Sequence, residues 1–203
     1  MVGCRRIMAI QALLLAAGAA RRFGSDKLTA ELGGEPLVVR AARNLLAAGL
    51  PVLCVVRDAA GPVAGLVRAL PGAEVSHCPE AHLGMGRSLA WGVRATRSAD
   101  GWLVALGDMP AVAPRTIRAL AEELGSGASL VAPQFRGRRG HPVGFARRWL
   151  PELLALAGDQ GGRDLIAAHQ DRLRLIATDD AGILLDVDEP GDLPGLRAVW
   201  PRG

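Results

Sequence analysis

Three stretches of the chain combine residue types that handle phosphate. The first is Leu15-Ala16-Ala17-Gly18-Ala19-Ala20-Arg21-Arg22-Phe23-Gly24-Ser25-Asp26-Lys27. Small residues let backbone N–H groups approach an anion, and Arg22 and Lys27 place positive charge where phosphate oxygens would lie. The stretch is neither a Walker A loop nor GxGxxG, and taken alone it also fits an ordinary small-residue turn with solvated charges. Lys27 is the only lysine of a chain whose other basic residues are all arginine. A position that resists such a bias requires a compact ammonium more than a planar fork.

The second stretch, Gly107-Asp108-Met109-Pro110, follows the apolar run 102–106. A carboxylate at the end of a buried strand suits Mg²⁺, which takes one or two carboxylates plus substrate phosphates. A turn aspartate before proline is the plainer reading. The third, Asp186-Val187-Asp188-Glu189-Pro190, follows another apolar run, 183–185, read as a strand. Two acidic loops at strand ends outweigh one.

The elements that must position these loops are legible from periodicity. Runs 10–15, 52–56, 102–106 and 130–132 are continuously apolar, as strands covered on both faces of a parallel sheet are. Between them Val38, Ala41, Ala42, Leu45 and Leu46 keep helical spacing, with Pro36 near the start and Gly49 past the end. Ile117, Leu120, Ala121 and Leu124 repeat the pattern after Pro114, and a further helix is expected over 87–97. Segment 135–140 reads as a glycine-bearing turn that opens an extra strand over 141–145. The alternation predicts a doubly wound α/β sheet with a ligand crevice at the carboxyl ends of its strands. At 203 residues and 50% apolar, with no linker or repeat, one domain over 1–203 is expected.

Composition excludes other classes. The net charge of +4 comes with 3% aromatic residues and no tyrosine, too few rings to stack bases. Arg136, Arg138, Arg139, Arg147 and Arg148 accompany no base-reading motif, so no nucleic-acid partner is expected. Cys4, Cys54 and Cys78 form no CxxC pair, and the histidines no HxxxH or HExxH, which points to reduced thiols without a zinc site. Arg5-Arg6 and the apolar stretch 7–20 imitate a secretory leader. Cleavage there would delete the Gly18 loop, and the stretch is shorter than the about 20 residues that span a bilayer. A first strand and loop in a cytoplasmic protein without a membrane partner is the expectation.

Taken in order, Leu-Ala-Ala-Gly with a following Arg, Phe-Gly and Lys, then Gly-Asp-Met-Pro, Gly-His-Pro-Val and Asp-Val-Asp-Glu-Pro-Gly-Asp-Leu resemble the MobA-like nucleotidyltransferases over residues 10–199. The pattern is most similar to the molybdenum cofactor cytidylyltransferases. The resemblance implies a single Rossmann-like domain, doubly wound with a mostly parallel sheet, of the nucleotide-diphospho-sugar transferase type. It implies an enzyme that joins a nucleoside monophosphate from an NTP to a phosphate monoester, with Mg²⁺ and release of pyrophosphate.

Residue by residue, Leu15, Ala16, Ala17, Gly18, Arg22 and Lys27 match the family's triphosphate-binding stretch, and Asp108 and Asp188 its metal positions. Lys27 would pair with the α-phosphate and Arg22 with the departing pyrophosphate. Gly84 and Ser88, in Gly84-Met85-Gly86-Arg87-Ser88-Leu89, would lie against base or ribose. Arg138, Arg139, His141 and Arg163 would hold the acceptor phosphate, although a solvated basic face explains those four equally well. No protein nucleophile is required, because positioning and neutralisation carry such a transfer.

Ala17-Gly18 in place of the Gly-Gly of the guanylyl branch, and Gly158-Asp159-Gln160-Gly161-Gly162-Arg163, favour CTP as substrate. Gly86 and Glu189 depart from the serine and threonine common in the cytidylyl branch. The expected acceptor is a phosphorylated pterin, with a molybdoenzyme as possible recipient of the product. Transfer of GMP, transfer of CMP or UMP to another small phosphorylated acceptor, and a non-enzymatic cofactor carrier are the alternatives. A carrier has no need of Lys27, Asp108 and Asp188 together.

Overall fold

The strand that enters the first loop, β1 (Ile10–Ala16), is buried at every position but Gln11. The computed structural model describes residues 8–18, 27–159, 161–188 and 190–192. After β1 come β2 (Glu31–Leu32), β3 (Glu35–Pro36), α1 (Leu37–Ala47), β4 (Val52–Val56), α2 (Pro62–Arg68), β5 (Ala73–His77), α3 (Met85–Ala95) and β6 (Gly101–Leu106). The second half holds α4 (Pro114–Gly125), β7 (Leu130–Phe135), β8 (Arg138–Arg139), β9 (Val143–Ala146), α5 (Leu150–Leu154), α6 (Arg163–Ala168) and β10 (Leu173–Ala177).

The main sheet has the order β10-β7-β9-β6-β1-β4-β5, with β8 paired to β7, while β2 and β3 form a separate hairpin. β1 pairs in parallel with β4 on one side and β6 on the other. β9 runs antiparallel to both β6 and β7, so those two share one direction, and β10 is parallel to β7. The chain winds outward from β1 through β4 to β5, then crosses back to lay β6 on the opposite flank of β1. Strand order therefore reverses between β1 and β6, which opens a crevice above their carboxyl ends. The Gly18 and Asp108 loops leave the sheet on either side of it.

Alternation along β1 divides the core. Ala12, Leu14 and Ala16 face one layer with Val38 and Leu45 of α1, Val67 of α2 and Leu120 of α4. Leu13 and Leu15 face the other, with Leu89 and Val93 of α3, Leu153 of α5 and Ile166 of α6. Both layers hold these central strands away from water, so the runs read from sequence as continuous rather than alternating.

Some boundaries differ from expectation. The helix expected over 87–97 begins at Met85, with Gly84 as its cap. The run 130–132 extends to Phe135 and turns through Arg136 and Gly137, both at positive φ, into the short strand β8. The extra strand is Val143–Ala146, and it inserts into the sheet as the one long strand running against the others. Run 183–185 is not a strand: Ala181–Leu184 is a single 3₁₀ turn whose Gly182 N–H donates to the capping Asp180 carboxylate. Among the described residues no helix is long and apolar enough to cross a membrane.

Candidate active site

Lys27 opens the 3₁₀ turn Lys27–Thr29, which buried Leu28 fixes to the core. Its Nζ donates to Asp108 Oδ2 at 2.8 Å and to Asp188 Oδ1 at 3.0 Å. The three side chains are 16%, 22% and 62% exposed, so the cluster lies at the mouth of the crevice rather than in the core. Burial is the largest single influence on the ammonium and pulls its pKa down. The bonds and charges of Asp108 and Asp188 together outweigh it and hold the pKa above the ordinary lysine value.

The loops that carry these groups are held by backbone bonds. Gly107 N–H donates to the Leu15 carbonyl at 3.0 Å, and Val187 N–H to the Asp108 carbonyl at 3.0 Å. Buried Asn44 of α1 donates from Nδ2 to the Pro110 carbonyl at 2.9 Å. Asp188 N–H donates to Asp192 Oδ2 at 2.8 Å. Burial, together with the charges of Asp188 and Asp108, raises the Asp186 carboxyl above the ordinary aspartate range. Two carboxylates from loops far apart in sequence thus converge on one cation, and a hard divalent ion would find the same oxygen donors there.

Two adjoining clefts flank the cluster. One, of about 600 Å³, is lined by Ala17, Gly18, Lys27, Gly84, Ser88 and Asp108, with Arg57, His82 and Asp159 added by the structure. The other, of about 510 Å³, brings Arg138, Arg139, His141 and Arg163 together over an apolar floor that includes Phe145 and Ile166. Leu15, Met85, Leu106 and Asp159 line both clefts and form their common wall. A larger cavity of about 870 Å³ lies among Gln11, Pro51, Thr96 and Arg118, at the opposite end of the sheet from this cluster. The convergent charges gather at the crevice, not at this larger hollow.

Not every expected residue reaches a cleft. Ala16 lies in the core between β1 and the α1 layer. Ser88 is only 3% exposed and lies beside the Cys78 thiol, so it forms wall rather than a free donor. Arg22 and Glu189 fall outside the described residues, as does Cys4. Burial pushes the Cys54 thiol up to about 12 and raises Cys78 as well, which leaves both unpaired thiols poor nucleophiles at neutral pH. Arg57 was legible in principle, since it follows the continuous run of β4. Asp159 lies in the motif 158–163, of which only Arg163 was expected at the site.

The departure at Gly86 has a steric cause. Gly86 N–H donates to the Gly158 carbonyl at 2.8 Å, and a Cβ on Gly86 would lie 2.7 Å from the Ala157 carbonyl oxygen. Gly84, at φ 115°, is pressed against the Gly158 carbonyl and Asp159. The start of α3 and the 157–159 loop are therefore locked backbone to backbone, which joins a wall of the first cleft to a wall of the second.

A mostly parallel sheet with loops that converge at its switch point defines an α/β protein of the nucleotide-diphospho-sugar transferase type. The chain belongs to the family described as the MobA-like NTP transferase domain, whose model matches residues 12–173. It is 28% identical over 195 residues to the purine catabolism protein PucB of Bacillus subtilis (strain 168), covering 91% of this chain and 94% of that one. Among solved structures, Rv0371c of Mycobacterium tuberculosis H37Rv is 27% identical with a TM-score of 0.80, covering 95% of this chain and 99% of that one. The same protein is also solved as a complex with manganese, matching at 26% identity and TM-score 0.79 over 94% and 98% of the chains. A nucleotidyl transferase from Methanothermobacter, Mth528, is 25% identical with a TM-score of 0.80, covering 94% and 96%.

Two outcomes are expected. Gly86→Ser, although it restores the residue common in the cytidylyl branch, must push α3 off the 157–159 loop, an overpacking that costs about 1–3 kcal/mol. A lower urea midpoint at unchanged slope measures it, and a variant as stable as the parent would show that the contact yields freely. His141 is held below its ordinary pKa by burial, with Arg139 and Arg163 acting the same way and Asp108 opposing. Its unfolded form therefore protonates first as pH falls below about 6.5, and stability drains from there down to the folded pKa. His141→Gln should lose less stability than the parent between pH 7.5 and 5.5, and an unchanged difference would remove His141 as the cause.

Proposed function

We propose that the chain transfers CMP from CTP to the phosphate of a molybdopterin-type cofactor and releases pyrophosphate. The observation that carries this reading is the convergence of Lys27, Asp108 and Asp188 beside two clefts that share a wall. The first cleft, bounded by Ala17, Gly18 and Gly84, suits the nucleotide. The second, with a cationic rim over an apolar floor, suits a flat ring that carries a phosphate.

Asp108 and Asp188 fit a divalent cation because both already aim oxygens at one positive charge, and a relative solved with manganese supports that fit. Such an ion, Mg²⁺ in this reading, supplies positive charge against the triphosphate. Lys27 then turns its ammonium from the carboxylates to the α-phosphate. Arg138, Arg139 and Arg163 orient the acceptor phosphate, and neutral His141 donates or accepts a hydrogen bond without adding charge. An acceptor phosphate oxygen forms the new bond to the α-phosphorus as the bond to pyrophosphate breaks, with no covalent enzyme intermediate. Arg22 would meet the departing pyrophosphate. The Ala17 methyl narrows the space open to a purine while a pyrimidine still fits.

Pyrophosphate release with each of the four NTPs, Mg²⁺ and cofactor extracted from a molybdoenzyme tests the reading. CTP should support the fastest turnover, and Asp108→Ala should lose more than about tenfold, or 1.4 kcal/mol of transition-state stabilisation. Faster release from GTP would move the chain to guanylyl transfer. A fully active Asp108→Ala would remove that residue from the metal position.

A further inference from the structure

Among the described residues four polar side chains are buried, Asn44, Ser88, Thr116 and Asp180, and two of them meet at a single junction. Asp180 is 6% exposed. Its Oδ2 accepts from Ala113 N–H at 2.8 Å and from the Thr116 hydroxyl at 2.7 Å, and its Oδ1 accepts from Gly182 N–H at 3.0 Å. Ala113 caps α4, which begins six residues after Asp108 and has no side-chain cap of its own. Gly182 lies in the turn that leads to Asp186 and Asp188, pressed so closely on the Ala111 carbonyl that a Cβ would collide with it.

One carboxylate therefore ties the end of the Asp108 loop to the start of the Asp188 segment. From that junction the segment continues in register: Ile183 carbonyl accepts from His141 N–H at 3.0 Å, and Val187 N–H donates to the Asp108 carbonyl at 3.0 Å. A buried carboxylate is costly unless every lone pair is met. Here N–H donors at the start of a helix and a hydroxyl meet it, so its position is strongly determined. An apolar residue could have closed the core at this point, but it could not have bonded both loops.

We infer that Asp180, with Thr116, is a positioning residue that sets the separation of Asp108 and Asp188 and thereby the affinity of that pair for a divalent cation. The inference rests on the proposed metal role of those two carboxylates. Groups that orient metal-binding carboxylates from behind commonly change metal affinity by about 10–100-fold when replaced. Asp180→Asn keeps the volume but leaves one oxygen where two accept, so one of the two loops loses its tie.

The test is Mn²⁺ binding to the full chain, followed by loss of the free-ion paramagnetic resonance signal, with Asp108→Asn as the reference for a damaged site. Asp180→Asn should weaken Mn²⁺ binding about tenfold or more, and in turnover should lower kcat while leaving KM for the nucleotide nearly unchanged. Val67→Ala, a cavity in α2 away from the junction, should lower thermal stability without changing Mn²⁺ affinity. Should Asp180→Asn fail to fold, Thr116→Val decides the matter, with weaker Mn²⁺ binding expected there and restoration by Thr116→Ser. A folded Asp180→Asn that binds Mn²⁺ like wild type, or unaltered binding by Thr116→Val, would make Asp180 a helix cap and nothing more. If wild type binds Mn²⁺ no better than Asp108→Asn, the metal role of Asp108 and Asp188 falls, and this inference with it.

Discussion

An ammonium shared by two carboxylates is the constraint around which the crevice is built. Lys27, Asp108 and Asp188 come from loops 81 and 161 residues apart, and each of the two bonds is 3.0 Å or shorter. Two unit charges 4 Å apart repel by about 1 kcal/mol in water and about 4 kcal/mol in a surface-like dielectric. A cation between two carboxylates turns that repulsion into attraction to a common charge. An ammonium offers three rotatable donors and can serve both at once, whereas a guanidinium fork favours bidentate attachment to one. That geometry explains why the chain keeps a single lysine among its arginines.

Holding the carboxylates in place constrains the layers beneath. The switch between β1 and β6 sets where the Gly18 and Asp108 loops emerge, but backbone topology alone leaves their tips free. Asn44 from α1 pins Pro110, while Thr116 from α4 meets Asp180, so helices of one face reach up to the loops above them. On the other face Ser88 closes on Cys78, and Gly84 and Gly86 bring α3 against the 157–159 loop. The buried polar groups of the described core thus lie under site loops rather than within the strands.

Much of this was legible in sequence because central strands covered on both faces leave continuous apolar runs. The rule that ligands gather at strand ends singled out Lys27 and Asp108, whereas Asp188 was reached from a strand over 183–185 that the structure replaces with a turn. Edge strands were harder to read. β5 and β10 are half exposed and carry Glu74 and Arg174, so no apolar run announces them. Run 183–185 failed as a strand because its apolar side chains pack under a capped turn, a distinction that depends on Asp180 and on the approach of Gly182 to Ala111. Asp180 itself, beside Asp179 in a polar stretch, has the sequence look of a solvated loop. Two of the three groups that its carboxylate accepts from, Ala113 and Thr116, lie more than sixty positions away.

Diffraction from crystals grown with Mn²⁺ and CTP, read by anomalous scattering, tests the central claim most directly. The account predicts an anomalous peak within coordinating distance of both Asp108 and Asp188, with the Lys27 ammonium moved from the carboxylates to an oxygen of the α-phosphate. A peak elsewhere, with Lys27 still bonded to both aspartates and the nucleotide outside the Gly18 cleft, would contradict it.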